Sequence, residues 1–213
     1  RLRCYGNLPK RNKMAQENDG DYNKSNIVIV GAGLSGLALA IGIGRLGRYN
    51  IHVVEKRKTF TAQGAAFGLA RNGALALEEM CPGIAEELEG KGIRVENGPL
   101  GTLLLPWWNL RDVLLRRARE CDDVSIHVGL ELESIEDDPL VSRATVRFKD
   151  DPMELEGEIV VGADGVNSVV RSILGHKPAI RTDALACRGH FDASKESSKL
   201  QFLLERGPVP LQV

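Results

Sequence analysis

Residues 27–36 read IVIVGAGLSG, a β-branched apolar run that breaks into three glycines. The stretch from Ile27 to Gly44 carries no charge over 18 residues, a length at the lower limit for crossing a bilayer. Five of those 18 residues are glycine, and the apolar pattern changes partway along, so a membrane span is disfavoured. Ile27–Val30 has the continuous β-branched character of a buried parallel strand. Leu34, Leu37, Ala38, Ile41 and Leu46 then recur at helical spacing, with Arg45, Arg48 and Tyr49 closing the helix. Ile51–Val54 follows as a second β-branched strand that ends on Glu55. Strand, glycine turn, helix and strand make a βαβ unit of about 30 residues, the context a dinucleotide-binding glycine motif requires.

Within this unit Gly31 allows the tight turn, Gly33 lets the backbone approach a pyrophosphate, and Gly36 lets the helix pack closely on the strands. The first N–H groups of the helix and its positive dipole end favour phosphate, which makes Gly31, Ala32, Gly33, Leu34, Ser35 and Gly36 the candidate cradle. Glu55 lies 19 residues beyond Gly36, where a carboxylate accepts from the two hydroxyls of an adenosine ribose and repels a 2′-phosphate. This unit alone leaves NAD and FAD both open.

The rest of the chain narrows the choice. A Gly/Ala-rich connector at Gly64–Gly68 leads to a helix from about Asn72 to Met80, with Asn72 as its expected N-cap. A second helix is expected from about Leu110 to Cys121, with Leu110, Val113, Leu114 and Ala118 on one face, and Trp107 and Trp108 ahead of it either line a pocket or form an apolar anchor. Strand-like runs over 123–158 return as hairpins into a buried strand, Ile159–Gly162, which ends at Ala163-Asp164-Gly165. A plain NAD-dependent dehydrogenase would alternate strands and helices here, so it is the weaker reading.

At these segments the chain resembles the N-terminal part of class A flavoprotein monooxygenases, the para-hydroxybenzoate hydroxylase-like and zeaxanthin epoxidase-like group. The resemblance rests on GAGLSG at 31–36 with Glu55, on GAAFGLARNGALALEEM at 64–80, on VVGADGVNSVVR at 160–171, and on Arg111 in a Leu-rich helix. It covers residues 27–190 and implies an α/β, Rossmann-like FAD-binding domain with a parallel sheet, helices and a small antiparallel β layer. By the same resemblance the 31–36 loop would hold the FAD pyrophosphate and Glu55 the adenosine ribose. Arg111 would reach the flavin side, the backbone at Leu132 would border the adenine, and Asp164 would contact FAD. Arg171 would support this region through Asp164 or through the nicotinamide cofactor. The implied activity is hydroxylation or epoxidation of an aromatic or olefinic small molecule, with NADPH or NADH as electron donor. No side-chain nucleophile and no metal is required, and no catalytic residue is assigned.

The resemblance has a departure. The family's Gly-Asp segment followed by Ala-Ala-His does not occur in residues 1–213, and only 181–192 resembles the start of a substrate domain. The expected organisation is therefore a leader at 1–25, an FAD-binding domain at 26–178, and the beginning of a truncated substrate-binding domain at 179–213. Two alternatives stay open: a non-catalytic FAD-binding remnant, and another FAD enzyme of the superfamily such as a reductase. An amine oxidase is disfavoured, because KRKTFTAQGAAFG lacks the Arg-x-Gly-Gly-Arg segment.

Composition adds bounds. With 28 Lys and Arg against 29 Asp and Glu, spread along the chain, there is no basic footprint for nucleic acid. Cys4, Cys81, Cys121 and Cys187 lie far apart, with no metal-ligand spacing, and read as reduced thiols of an intracellular protein, cytoplasmic or organellar. The basic segment Arg1–Lys13 lacks the Ser-rich amphipathic pattern of a transit peptide, and Met14 is the expected initiator. Arg57 and Lys58 read as a solvated face, and His52, His127, His176 and His190 show no partner pattern.

Overall fold

The structure is a computed structural model that describes residues 24–62, 65–95, 102–180 and 182. The expected leader up to residue 23, most of the expected substrate-domain segment, Gly64, Cys4, Cys187 and His190 lie outside the described residues, and Ser25, the last residue of that leader, opens the first strand.

The βαβ unit forms as its pattern predicts. Strand β1 (Ser25–Val30) turns through the glycines into helix α1 (Leu34–Gly44), and β2 (Tyr49–Glu55) returns parallel to β1. The helix ends at Gly44, and Tyr49 opens the next strand instead of closing the helix. Next come β3 (Ala66–Leu69), α2 (Arg71–Met80), α3 (Ile84–Glu89), β4 (Ile93–Val95), β5 (Thr102–Pro106) and α4 (Trp107–Arg119). The last part is β6 (Val124–Val128), the meander β7 (Leu132–Asp138), β8 (Arg143–Phe148) and β9 (Asp151–Gly157), then β10 (Ile159–Gly162) and α5 (Val169–Ile173).

The four parallel strands lie in the order β10-β1-β2-β6. Alternation along them divides two cores. Ile27, Ile29, Ile51 and Val53 face the helices and join Leu37, Ala40, Leu110, Val113, Leu114 and Ala118. Val28, Val30 and Val54 face the other way and join Leu132, Val146, Phe148 and Leu155 of the antiparallel meander. The result is three layers of helices, parallel sheet and meander, as the α/β FAD-binding fold class requires. A third sheet, β3-β5-β4, is antiparallel and stands beside the helices. No described helix is long and apolar enough to cross a membrane.

Several local expectations are corrected. The Gly/Ala connector includes a strand: Ala66–Leu69 lacks β-branched residues but pairs with β5 from Ala66↔Pro106 to Leu69↔Leu103. Helix α2 starts at Arg71 with Ala70 at its N-cap and no side-chain cap bond, so Asn72 lies inside the first turn and does not cap it. Helix α4 starts three residues earlier than Leu110, because Pro106 ends β5 in extended geometry and its fixed φ suits the entry to a helix. Trp107 and Trp108 therefore form the first turn of α4. Strand β10 is an edge and not a buried strand: it pairs with β1 alone among the described residues, and Ile159 is 51% exposed.

Candidate cofactor-binding site

The carboxyl ends of β1, β2 and β10 converge with the β6–β7 connection, and backbone hydrogen bonds lock them together. Gly31 N–H donates to Val54 O at 2.8 Å, Ala163 N–H to Val30 O at 2.7 Å, and Leu130 N–H to Glu55 O at 3.0 Å. A cavity of about 290 Å³ opens at this point, close to the lower limit of ligand-sized pockets. This is where ligands bind in open α/β sheets, outside the carboxyl ends of the strands.

The three glycines of the loop have different surroundings. Gly31 has φ +112°, and a Cβ there would stand 2.4 Å from Ala163 O. A Cβ on Gly36 would stand 1.9 Å from Gly31 O, so the turn and the helix are in direct backbone contact. Gly33 differs: it lines the cavity, and a Cβ on it would meet nothing within 4 Å. Gly33 is also the N-cap of α1 and supplies no side-chain cap. The leading N–H groups of the helix, at Leu34, Ser35 and Gly36, thus begin without intrahelical partners. Ala32 N–H is engaged at 3.2 Å by a Glu55 carboxylate oxygen, and the other oxygen accepts from Arg57 N–H at 3.0 Å.

Across the cavity stands Arg111, with only 2% of its side chain exposed. It is thus a buried charge and not a surface helix residue. Its Nη1 donates to Thr61 O at 2.9 Å, and Nε and Nη2 donate to Asp112 Oδ1 at 3.0 and 2.6 Å. Of the five guanidinium N–H groups, one on each Nη is left without a partner among the described residues. Leu132 opens β7 on the same cavity wall and is buried in the meander core. Arg57 is exposed, as expected, yet it too lines the cavity.

Asp164 lines the cavity but directs its carboxylate at its own chain. Oδ1 accepts from the Ser168 hydroxyl at 2.6 Å, and Oδ2 accepts from the N–H groups of Val169 and Val170 at 2.6 and 3.2 Å. Burial alone would raise its pKa. The Ser168 hydroxyl and the Val170 and Val169 amides outweigh that and hold the carboxyl below its ordinary value. Ser168 in turn caps α5 by accepting from Arg171 N–H at 3.0 Å, and Arg171 Nη2 donates to Val166 O at 2.6 Å. Gly165, at φ +84°, makes the turn possible.

Phe60 is a site residue that the sequence reading missed, whereas Trp107 could be read there as either a pocket wall or an apolar anchor. Both line the cavity and lie against the Arg111 guanidinium. The available signal was the four-residue spacing from Trp107 to Arg111, which places both on one helical face. The histidine reading is also corrected. His52 Nδ1 and His127 Nε2 lie 3.2 Å apart on neighbouring strands, so one ring donates to the other. Burial, then the charge of His127, lowers the pKa of His52; burial lowers that of His127.

The residues present fit a dinucleotide on three counts. The glycine that faces the cavity has open space above it, the helix start supplies free amides, and a buried cation opposite keeps two uncommitted donors.

Comparison with known proteins agrees. Residues 24–206 match the family described as FAD binding domain. Monooxygenase 2 of Arabidopsis thaliana is 30% identical over 185 residues, which are 78% of this chain and 44% of that protein. The 6-hydroxynicotinate 3-monooxygenase of Bordetella bronchiseptica is 28% identical over 201 residues, 84% of this chain and 51% of the relative. The chain thus spans about half the length, or less, of these relatives. Among solved structures, anhydrotetracycline hydroxylase from Streptomyces rimosus superposes with a TM-score of 0.62 at 23% identity, over 71% of this chain and 34% of that one, and shows the shared fold. A ternary complex of aklavinone-11 hydroxylase with FAD and aklavinone superposes with a TM-score of 0.59 at 26% identity, over 74% of this chain and 35% of that one. A glycine loop, an acidic strand end and a buried arginine on one cavity, with residues 24–206 matched throughout, place this chain in the FAD binding domain family of the class A flavin monooxygenases.

Proposed function

We propose that this chain forms the FAD-holding part of an NAD(P)H-dependent flavin monooxygenase acting on an aromatic or olefinic small molecule. The observation that carries the reading is the pairing, across one cavity, of a helix start rich in free amides with a buried guanidinium that retains two donors. The Gly31–Gly36 loop, with Ala32, Leu34 and Ser35 between its glycines, receives the pyrophosphate. Glu55 moves from Ala32 N–H to the ribose hydroxyls, the backbone at Leu132 borders the adenine, and Arg111 takes an anionic group on the flavin side. Asp164 acts by shaping the turn that closes the cavity, since its carboxylate is filled by its own chain. Bound FAD supplies the redox chemistry, drawing electrons from NADPH or NADH and using dioxygen to oxygenate substrate. The names 6-hydroxynicotinate 3-monooxygenase and aklavinone-11 hydroxylase each contain that of an aromatic compound, which supports an aromatic substrate. The free thiols of Cys81 and Cys121 support a reducing, intracellular setting.

The test is a flavin titration of the purified chain, following quenching of FAD fluorescence, with NAD as competitor. FAD saturates a single site, NAD does not displace it, and Glu55→Ala weakens it. A chain that takes up NAD and no flavin overturns the reading.

A further inference from the structure

The guanidinium of Arg111 is held on more than its hydrogen bonds. Its central carbon lies 5.4 Å from the centroid of the Phe60 ring and 5.2 Å from that of Trp107, both within the roughly 6 Å reach of a cation–π contact. Trp107 comes from one helical turn earlier on α4, and Phe60 from the segment that follows β2. Asp112, its one ion-pair partner among the described residues, is 56% exposed, so water weakens its hold on the cation. Asp112 accepts from Nε and Nη2, Thr61 accepts from Nη1, and the two aromatic rings complete the enclosure.

We propose that Phe60 and Trp107 are positioning residues, a two-ring clamp that keeps the Arg111 guanidinium in one plane with its two uncommitted N–H groups toward the anionic part of the cofactor. The inference rests on the FAD reading of this site. An arginine carries a long, flexible stem, and anion recognition by a planar fork depends on how well that fork is oriented beforehand. The rings orient it without consuming a donor, which a third hydrogen-bonding partner would do. They also keep water from the cation, so that its charge acts on the ligand in a low-dielectric setting.

The test has two arms, both on the full chain. In the ligand-free protein with ¹⁵N-labelled arginine, the clamp slows guanidinium rotation, so the Arg111 Nη protons appear as separate signals, shifted by the ring currents. Averaged Nη signals in the wild type overturn the clamp whether or not any variant folds. In FAD titrations, Trp107→Leu and Phe60→Leu each weaken binding about 2- to 30-fold, the range set by one cation–π contact. Trp107→Phe restores both the resolved signals and the affinity to within about twofold, because a phenyl face substitutes for the indole. Arg111→Ala separates the two readings. If it weakens FAD while both leucine variants bind like wild type, the clamp is wrong and the site stands. If Arg111→Ala leaves the affinity unchanged, the assignment of the site at Arg111 falls, and the clamp with it.

Discussion

Alanine placed at each of two glycines in the 31–36 loop separates packing from ligand approach. At Gly36 the added carbon would lie 1.9 Å from Gly31 O, a backbone atom fixed by the turn, with Gly31 itself held to Val54 by a 2.8 Å hydrogen bond. Helix α1 must move off β1 and lose part of its contact with Ile29 and Val53, and overpacking of this kind costs about 3 kcal/mol. For a chain of 213 residues that corresponds to a fall in Tm of about 6–12 °C. At Gly33 φ is −79° and ψ −175°, an extended geometry open to alanine, and nothing lies within 4 Å of the new carbon. Loss of a good N-cap residue costs a few tenths to about 1 kcal/mol, and the reduced entropy of the unfolded chain returns about 0.4–1 kcal/mol, so stability stays within about 1 kcal/mol of wild type. The new methyl group nevertheless stands where the pyrophosphate must approach, and FAD affinity falls at least tenfold. Thermal melts and flavin titrations on the same preparations read both effects. Gly33→Ala binding FAD within twofold of wild type would refute the close approach. Gly36→Ala as stable as wild type would refute the packing argument.

Other outcomes follow from the same geometry. Asp164→Asn removes the carboxylate that holds Ser168, Val169 and Val170 and lowers stability at neutral pH by about 1 kcal/mol in urea unfolding. Because the folded pKa of Asp164 is depressed, its contribution is present above the ordinary carboxylate value and is lost as pH falls through the folded one; a wild type and a variant that stay equally far apart at low pH would contradict this. His52 and His127 both have lowered pKa values, so below about pH 6.5 the unfolded chain takes up protons that the folded chain refuses, and stability declines from pH 7 toward pH 5. The double variant His52→Gln/His127→Gln has a flatter profile over that window, and an unchanged slope would show that the pair is not responsible. Leu37, with none of its surface exposed, costs about 2–5 kcal/mol when changed to Ala, whereas Leu140→Ala, at a position 94% exposed, stays within about 0.5 kcal/mol in the same denaturation assay.

What was legible in the sequence was local and periodic. The βαβ unit could be read because its period switches from continuous β-branched residues to helical spacing at the glycines, and Glu55 ends β2 for a reason visible in the same 30 residues. What was not legible depends on partners far away in the chain. Strand β3 is made by pairing with β5, whose residues follow some 35 positions later, and no propensity in AFGL announces it. The half-open state of β10 depends on which strands flank it, whereas its composition, IVVG, suggests cover on both sides. The histidine pair joins positions 75 residues apart through the parallel register of β2 and β6. For Asp164 the motif marked the residue, but only the fold shows that its carboxylate is already filled by Ser168, Val169 and Val170.

The division of the parallel sheet into two cores has a consequence for how the domain breathes. The helical core packs on Ile27, Ile29, Ile51 and Val53 of one sheet face, and the meander core sets Leu130, Leu132, Val146, Phe148 and Leu155 against Val28, Val30 and Val54 of the other. Two such units can open separately, each with its own free energy. The cavity takes walls from both: Phe60, Trp107 and Arg111 from the helical side, Leu130 and Leu132 from the meander side. A molecule lodged there adds a second tie between layers that otherwise meet through Val28, Val30 and Val54 of the shared sheet. Its arrival would be recorded in slowed amide exchange along β7, β8 and β9, including strands that it never touches.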